Sequence, residues 1–183
     1  NLTSPQHVAA LLALWRTPPQ PTAVLTLIPI PPEQVPASGV VALEGELVVR
    51  IVEKPRLPDA PSHIASLPLY CLPHSLLGYL PEVQPSPRGE YELQDALQLL
   101  IQRQGGVRGL QVASRLTLTS PADLLSINRH FLMQGGEAPQ IQPQRVGAGT
   151  QLTTPLHIEA GVEIGGDCRI GPNVYIERNC RIG

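Results

Sequence analysis

Two segments concentrate side chains suited to polar chemistry. Ile51-Val52-Glu53-Lys54-Pro55 sets a carboxylate beside an ammonium at the end of an apolar run, and Arg88-Gly89-Glu90-Tyr91-Glu92-Leu93-Gln94-Asp95 opens an amphipathic stretch with charges of both signs. By residue type alone, Glu53-Lys54 is a solvated pair at a strand end, while Glu90 and Asp95 complement the positive N-terminal end of a helix. His7, His63, His74 and His130 have no ligand-like spacing, and His157 falls on an outward position of a repeat, where it reads as surface. Cys71, Cys168 and Cys180 are odd in number, far apart and without a CxxC pair, so neither a disulfide framework nor a metal site follows. A reducing compartment, the cytoplasm, is the expectation. Spacing identifies no catalytic residue and no metal ligand.

The elements that position these residues follow from pattern. Ser4-Pro5 caps a helix with Val8, Leu11, Leu12 and Trp15 at helical spacing. Thr22–Ile30 reads as a strand, Gly39–Leu43 and Leu47–Val52 as a hairpin, and Ile64–Tyr70 as a strand. Tyr91–Gln104 is an amphipathic helix ended by Gly105-Gly106, Val107–Leu118 is extended, and a last helix runs from Ser120-Pro121 to Gln134, closed by Gly135-Gly136. This alternation is the α/β pattern. With 183 residues, 42% hydrophobic and 21 prolines, the chain is globular and rich in loops; its net charge of -2 argues against a nucleic-acid partner or an anionic membrane surface. No apolar run reaches the roughly eighteen residues of a membrane helix.

The C-terminal part is periodic. Val146, Leu152, Ile158, Ile164, Ile170, Ile176 and Ile182 recur every six residues, with a second series at Thr150, Leu156, Val162, Cys168, Val174 and Cys180. A solenoid follows, in which each hexad is a short strand plus a turn, both series point inward, and the two later cysteines are core fillers. Residues 1–137 are then expected as an α/β domain and residues 138–183 as the repeat domain.

The order of motifs resembles one family, the sugar-1-phosphate nucleotidyltransferases. Gly39-Val40-Val41, a hairpin and Glu53-Lys54-Pro55 resemble its "G-x-v…EKP" element. Arg88 to Asp95 resembles "RGE-y-e-l-t-D", and Leu118-Thr119-Ser120-Pro121-Ala122-Asp123-Leu124-Leu125 with Asn128 resembles "D-i-g-T-P-x-D-L-L-x-x-N". The hexads resemble the left-handed parallel β-helix that bifunctional pyrophosphorylase/acetyltransferases carry. The resemblance implies the C-terminal part of a Rossmann-like nucleotidyltransferase domain followed by about two coils of β-helix. It also implies a reaction: a sugar 1-phosphate attacks the α-phosphorus of a nucleoside triphosphate in line, giving an NDP-sugar and pyrophosphate. Such chemistry needs cations and backbone donors more than a protein nucleophile. In that picture Gly39 lets backbone approach the sugar, Glu53 accepts hydrogen bonds from sugar hydroxyls, Lys54 offers charge to phosphate, and Mg2+ is the cofactor.

Departures from the family pattern are specific. The Gly-rich triphosphate loop is absent, and the Asp that precedes the segment resembling Asn1-Leu2 is not in the chain. Thr117 stands where the second metal Asp is expected, and Ser66-Leu67-Pro68-Leu69-Tyr70 replaces "N-t-G-i-Y". A threonine cannot substitute for a carboxylate on a hard cation. The expectation is a chain cut from a longer parent, either a nucleotidyltransferase or a catalytically degenerate sugar-nucleotide-binding subunit serving regulation or assembly. In the first case the β-helix serves assembly or carries a second acyl-transfer activity, in the second it is an oligomer interface, and the expected assembly is a homo-oligomer, dimer or trimer.

Overall fold

The computed structural model describes residues 3–118, 120–134, 141 and 143–183. The chain divides into two compact units, residues 2–115 and residues 116–183. Asn1-Leu2, the Gly135-Gly136 helix stop and most of the stretch around the expected boundary at residue 137 lie outside the described residues.

In the first unit, helix α1 (Pro5–Trp15) starts as its sequence predicts, with the Ser4 hydroxyl accepting from the His7 amide at 3.1 Å. Strands β1 (Ala23–Pro29), β2 (Gly39–Glu44), β3 (Leu47–Glu53), β4 (Ile64–Cys71) and β5 (Val107–Gln111) form one sheet in the order β1-β4-β2-β3-β5, closed on itself. Six of the seven β1 residues are buried, which explains its continuous apolar run. The sheet is mixed rather than the parallel sheet that a Rossmann-like domain implies. β1 and β5 run parallel, but β2 and β3 are joined by Gly45-Glu46 alone, a connection that permits only an antiparallel pair.

Two local features were not legible beforehand. Leu25 pairs with Tyr70 and Thr26 with Leu67, so Pro68 falls in a bulge of β4, where its missing N–H leaves no ladder bond unmade. The stretch expected to be extended to Leu118 forms strand only to Gln111; the ladder with β1 ends there, apart from the Val112 amide donating to Leu27 O at 2.8 Å. Helix α2 (Leu93–Gln104) packs on β3 and buries Ala96, Leu97, Leu100 and Ile101 against Leu25, Leu27, Val41 and Ile51. β5 pairs with β3 only at Leu47, so most of that edge is left to α2, and Gln98 Oε1 accepts from the Ile51 amide at 2.8 Å. This packing sets the end of β3 against one face of α2.

In the second unit, helix α3 (Pro121–Gln134) packs on β11 (Val174–Ile176), and Asn128 Nδ2 donates to Asn173 O at 3.1 Å. That contact is why α3 groups with the repeats rather than with the preceding domain. Strands β6 (Arg145–Val146), β7 (Gln151–Leu152), β8 (Leu156–Ile158), β9 (Glu163–Ile164), β10 (Arg169–Ile170), β11 and β12 (Arg181–Ile182) form three short parallel sheets. Their register partners, such as Val146 with Ile164 and Leu152 with Ile170, are all eighteen residues apart, that is, three hexads. The fourth position of five of the six hexads carries Gly149, Gly161, Asp167, Asn173 and Asn179, each with positive φ and each of a residue type that tolerates the left-handed region, while Pro155 holds that position in the remaining hexad. Leu156, Ile158, Val162, Ile164, Ile170 and Ile176 form the core. The inward placement fails at Cys180, which is exposed, while Cys168 is half-buried against the core. At the first hexad Val146 is likewise exposed.

Candidate functional site

The β2–β3 ladder brings Gly39 opposite Glu53. A Cβ on Gly39 would lie 2.6 Å from Glu53 Oε2 and 3.3 Å from the Gln94 side chain, so a glycine is required for the carboxylate to sit where it does. Glu53 Oε2 is buried with no hydrogen-bond partner. Burial, reinforced by the nearby Glu92 charge, holds this carboxyl above the usual carboxylate range, against the pull of Lys54 and Arg88. An unsatisfied buried acceptor is costly, so such an atom points to a missing donor.

Lys54 adopts φ 47°, a left-handed conformation that is uncommon for a lysine and doubly so before Pro55. Its amide donates to Ser38 O at 2.9 Å, and its Nζ lies 3.9 Å from Glu53 Oε1 and 3.4 Å from Glu90 Oε2. All three residues read from the sequence as ligand-binding, Gly39, Glu53 and Lys54, are thus brought together at one end of the hairpin.

A cleft of about 470 Å³ opens beside them between the end of β3 and α2, lined by Val52, Glu53, Arg88, Glu92, Asp95 and Gln98 among others. Arg88 Nη2 donates to Glu92 Oε1 at 2.6 Å. Burial and the Glu92 charge raise the Asp95 carboxyl. Tyr70 on β4 has its phenol pushed up, by burial first and also by Glu53, while the Ser66 hydroxyl donates to it at 3.0 Å. Sequence reasoning read Asp95 as helix electrostatics and gave Glu92 and Gln98 no role. Asp95 and Gln98 are neighbours on α2 and Glu92 is its N-cap residue, but which side of the helix meets β3 is set by packing and not by that spacing.

No group of three His, Cys, Asp or Glu side chains among the described residues is arranged to hold a metal ion. Thr117 offers a hydroxyl where the family carries a carboxylate. The described residues thus show no ligand set for Mg2+. In the second unit His157 stacks on Tyr175, with ring centroids 4.8 Å apart; the Tyr175 hydroxyl bonds to Glu159, which also accepts from Arg178 Nε at 3.2 Å.

The chain belongs to the Nucleotidyl transferase family, whose model matches residues 6–111, more than half of its length. That match spans Gly39, Glu53, Lys54 and the cleft. The chain is similar to a glucose-1-phosphate thymidylyltransferase of Streptomyces antibioticus, 31% identical over 162 residues that cover 79% of this chain and 44% of that protein. It is also similar to the bifunctional protein GlmU of Methanococcus maripaludis, 36% identical over 86 residues, covering 46% of this chain and 21% of that one. Among solved structures, a UDP-glucose pyrophosphorylase complexed with UDP-glucose shares the fold with a TM-score of 0.56 at 22% identity, over 63% of this chain and 44% of that one. A UTP-bound UGPase from Acinetobacter baumannii gives 0.58 at 20% identity, over 71% and 46%. The chain spans less than half the length of these relatives. No helix among the described residues is long and apolar enough to cross a membrane.

Proposed function

We propose that the cleft beside Gly39, Glu53 and Lys54 holds the sugar 1-phosphate of a nucleotidyltransferase reaction, in which that phosphate attacks the α-phosphorus of a nucleoside triphosphate to give an NDP-sugar and pyrophosphate. The buried, unpartnered Glu53 Oε2 carries this reading: a sugar hydroxyl is the donor it lacks. Gly39 leaves room for the carboxylate, and Lys54 supplies a positive charge that a phosphate would share with Glu53 and Glu90. The names of the relatives, which are transferases of this kind, support it. They lend nothing to the degenerate regulatory alternative. Calorimetric titration of the chain with glucose 1-phosphate tests the reading: saturable binding that Glu53→Gln weakens by about thirtyfold or more is expected, and binding that is absent, or indifferent to that substitution, overturns it.

Glu90 competes with phosphate for Lys54. Glu90→Gln is expected to tighten glucose 1-phosphate binding by about threefold at low salt, the scale of an exposed ion pair, and the gain fades as ionic strength rises.

For the second unit we infer a left-handed parallel β-helix serving assembly of several copies, in a cytoplasmic protein. The eighteen-residue register of its three sheets supports the coil, and sedimentation of the chain with and without residues 116–183 tests the assembly role. The acyl-transfer alternative rests on His157, whose ring face is covered by Tyr175.

A further inference from the structure

Three carboxylates, Glu53, Glu92 and Asp95, line the cleft that on the sugar reading takes an anionic ligand, and a fourth, Glu90, lies beside it within 3.4 Å of Lys54 Nζ. Lys54 and Arg88 offset them. Arg88 bonds Glu92 at 2.6 Å through Nη2, and its Nε lies 3.5 Å from Glu90 Oε2. The Glu92 side chain is 12% exposed against 39% for Arg88, so a nearly buried carboxylate is held by a cation reaching in from solvent. The groups facing Glu53 are Glu92 and Asp95 from the α2 side, Lys54 beside it, Arg88 from the preceding loop and the Tyr70 phenol from β4. Of the charges among them, Glu92 acts most strongly on it.

We propose that Arg88 is a positioning residue for the sugar site: by holding Glu92 and balancing its charge, it keeps the Glu53 carboxylate free to accept hydrogen bonds from sugar hydroxyls. The proposal rests on the sugar reading of the cleft. Without the guanidinium, the Glu92 charge acts on Glu53 uncompensated, in a site already poor in water, and ionising Glu53 becomes harder. A protonated Glu53 presents a donor where the sugar needs an acceptor. The effect is therefore confined to the lower pH range. Above it Glu53 ionises with or without Arg88.

The test compares wild type, Arg88→Gln and Arg88→Lys for glucose 1-phosphate affinity from acid to mildly alkaline pH. The ratio of mutant to wild type at each pH cancels the ionisation of the ligand's own phosphate. R88Q is expected to lose about tenfold at the acid end, the consequence of a midpoint raised by about one unit, and less than about twofold at the alkaline end. R88K, which keeps the charge, is expected to restore most of the loss. A loss equal at every pH, the signature of direct phosphate binding or of a structural role, overturns the proposal, as does no loss at all. In parallel, the carbon-13 resonance of the Glu53 carboxyl, read without ligand, is expected to titrate at higher pH in R88Q than in wild type or R88K. An unmoved midpoint overturns the role of Arg88. If wild type binds no glucose 1-phosphate at any pH, the sugar reading fails, and the carboxyl midpoint alone decides whether Arg88 governs Glu53.

Discussion

Glu53→Gln reduces glucose 1-phosphate affinity by about thirtyfold or more, the scale of losing a charged acceptor to a bound hydroxyl, and Gly39→Ala reproduces most of that loss without removing a polar group. The second substitution acts by geometry. Its methyl group would sit 2.6 Å from Glu53 Oε2, and the carboxylate must swing away. The two variants part in stability. The Glu53 carboxyl is raised in the folded chain, mainly by burial, so the folded state binds its proton more tightly than the unfolded state does. Its contribution to stability is then fully present below the unfolded-state value and is lost as pH rises through the folded-state value. At neutral pH the ionised, half-satisfied carboxylate is a liability, and E53Q is expected to melt higher than wild type while binding less. G39A is expected to melt lower. Circular dichroism melts of the three proteins at neutral and mildly acid pH check this; an E53Q variant that melts lower than wild type at neutral pH contradicts it.

Gly147→Ala destabilises the second unit by about 3 kcal/mol, the upper range for forcing an atom into packed structure. The added Cβ would fall on the backbone of Gly165 and Gly166, next to the register partner eighteen residues on, and backbone in a parallel ladder cannot turn aside as a side-chain end can. Gly45→Ala is the control. Gly45 has φ +61° but nothing within 4 Å of the added Cβ, so its penalty is only that of the left-handed conformation, about 1 kcal/mol. Hydrogen exchange at amides of the repeat strands reads the difference. Protection in G147A within about 0.5 kcal/mol of wild type would show that Gly147 does not lie against Gly165 and Gly166 as described.

The hairpin, α1 and α2 were legible because each announces itself locally, through Ser4-Pro5 at one helix start, Gly105-Gly106 at another helix end and a turn of Gly45-Glu46 between apolar runs. Gly39, Glu53 and Lys54 were legible as a group through the resemblance, and the β2–β3 register turns that spacing in sequence into contact. What the sequence withheld is what depends on elements meeting. Arg88, Glu92 and Asp95 become site residues because α2 covers an edge of β3, and no local pattern states that packing. Pro68 reads as damage to a strand until the bulge that absorbs it is known. The grouping of α3 with the repeats follows from its contact with β11, including one bond from Asn128 to a backbone carbonyl forty-five residues away, whereas composition alone draws the line at residue 137.

Which residues a sugar phosphate touches can be read directly by NMR titration. Amide and carboxyl resonances of the chain, followed while glucose 1-phosphate is added, are expected to shift first at Gly39, Glu53 and Lys54, with the Glu53 carboxyl signal moving as Oε2 gains a donor and with inorganic phosphate moving Lys54 but not Glu53. Shifts confined to other parts of the chain, or a Glu53 carboxyl that does not respond at saturation, would contradict the assignment of this cleft to the sugar.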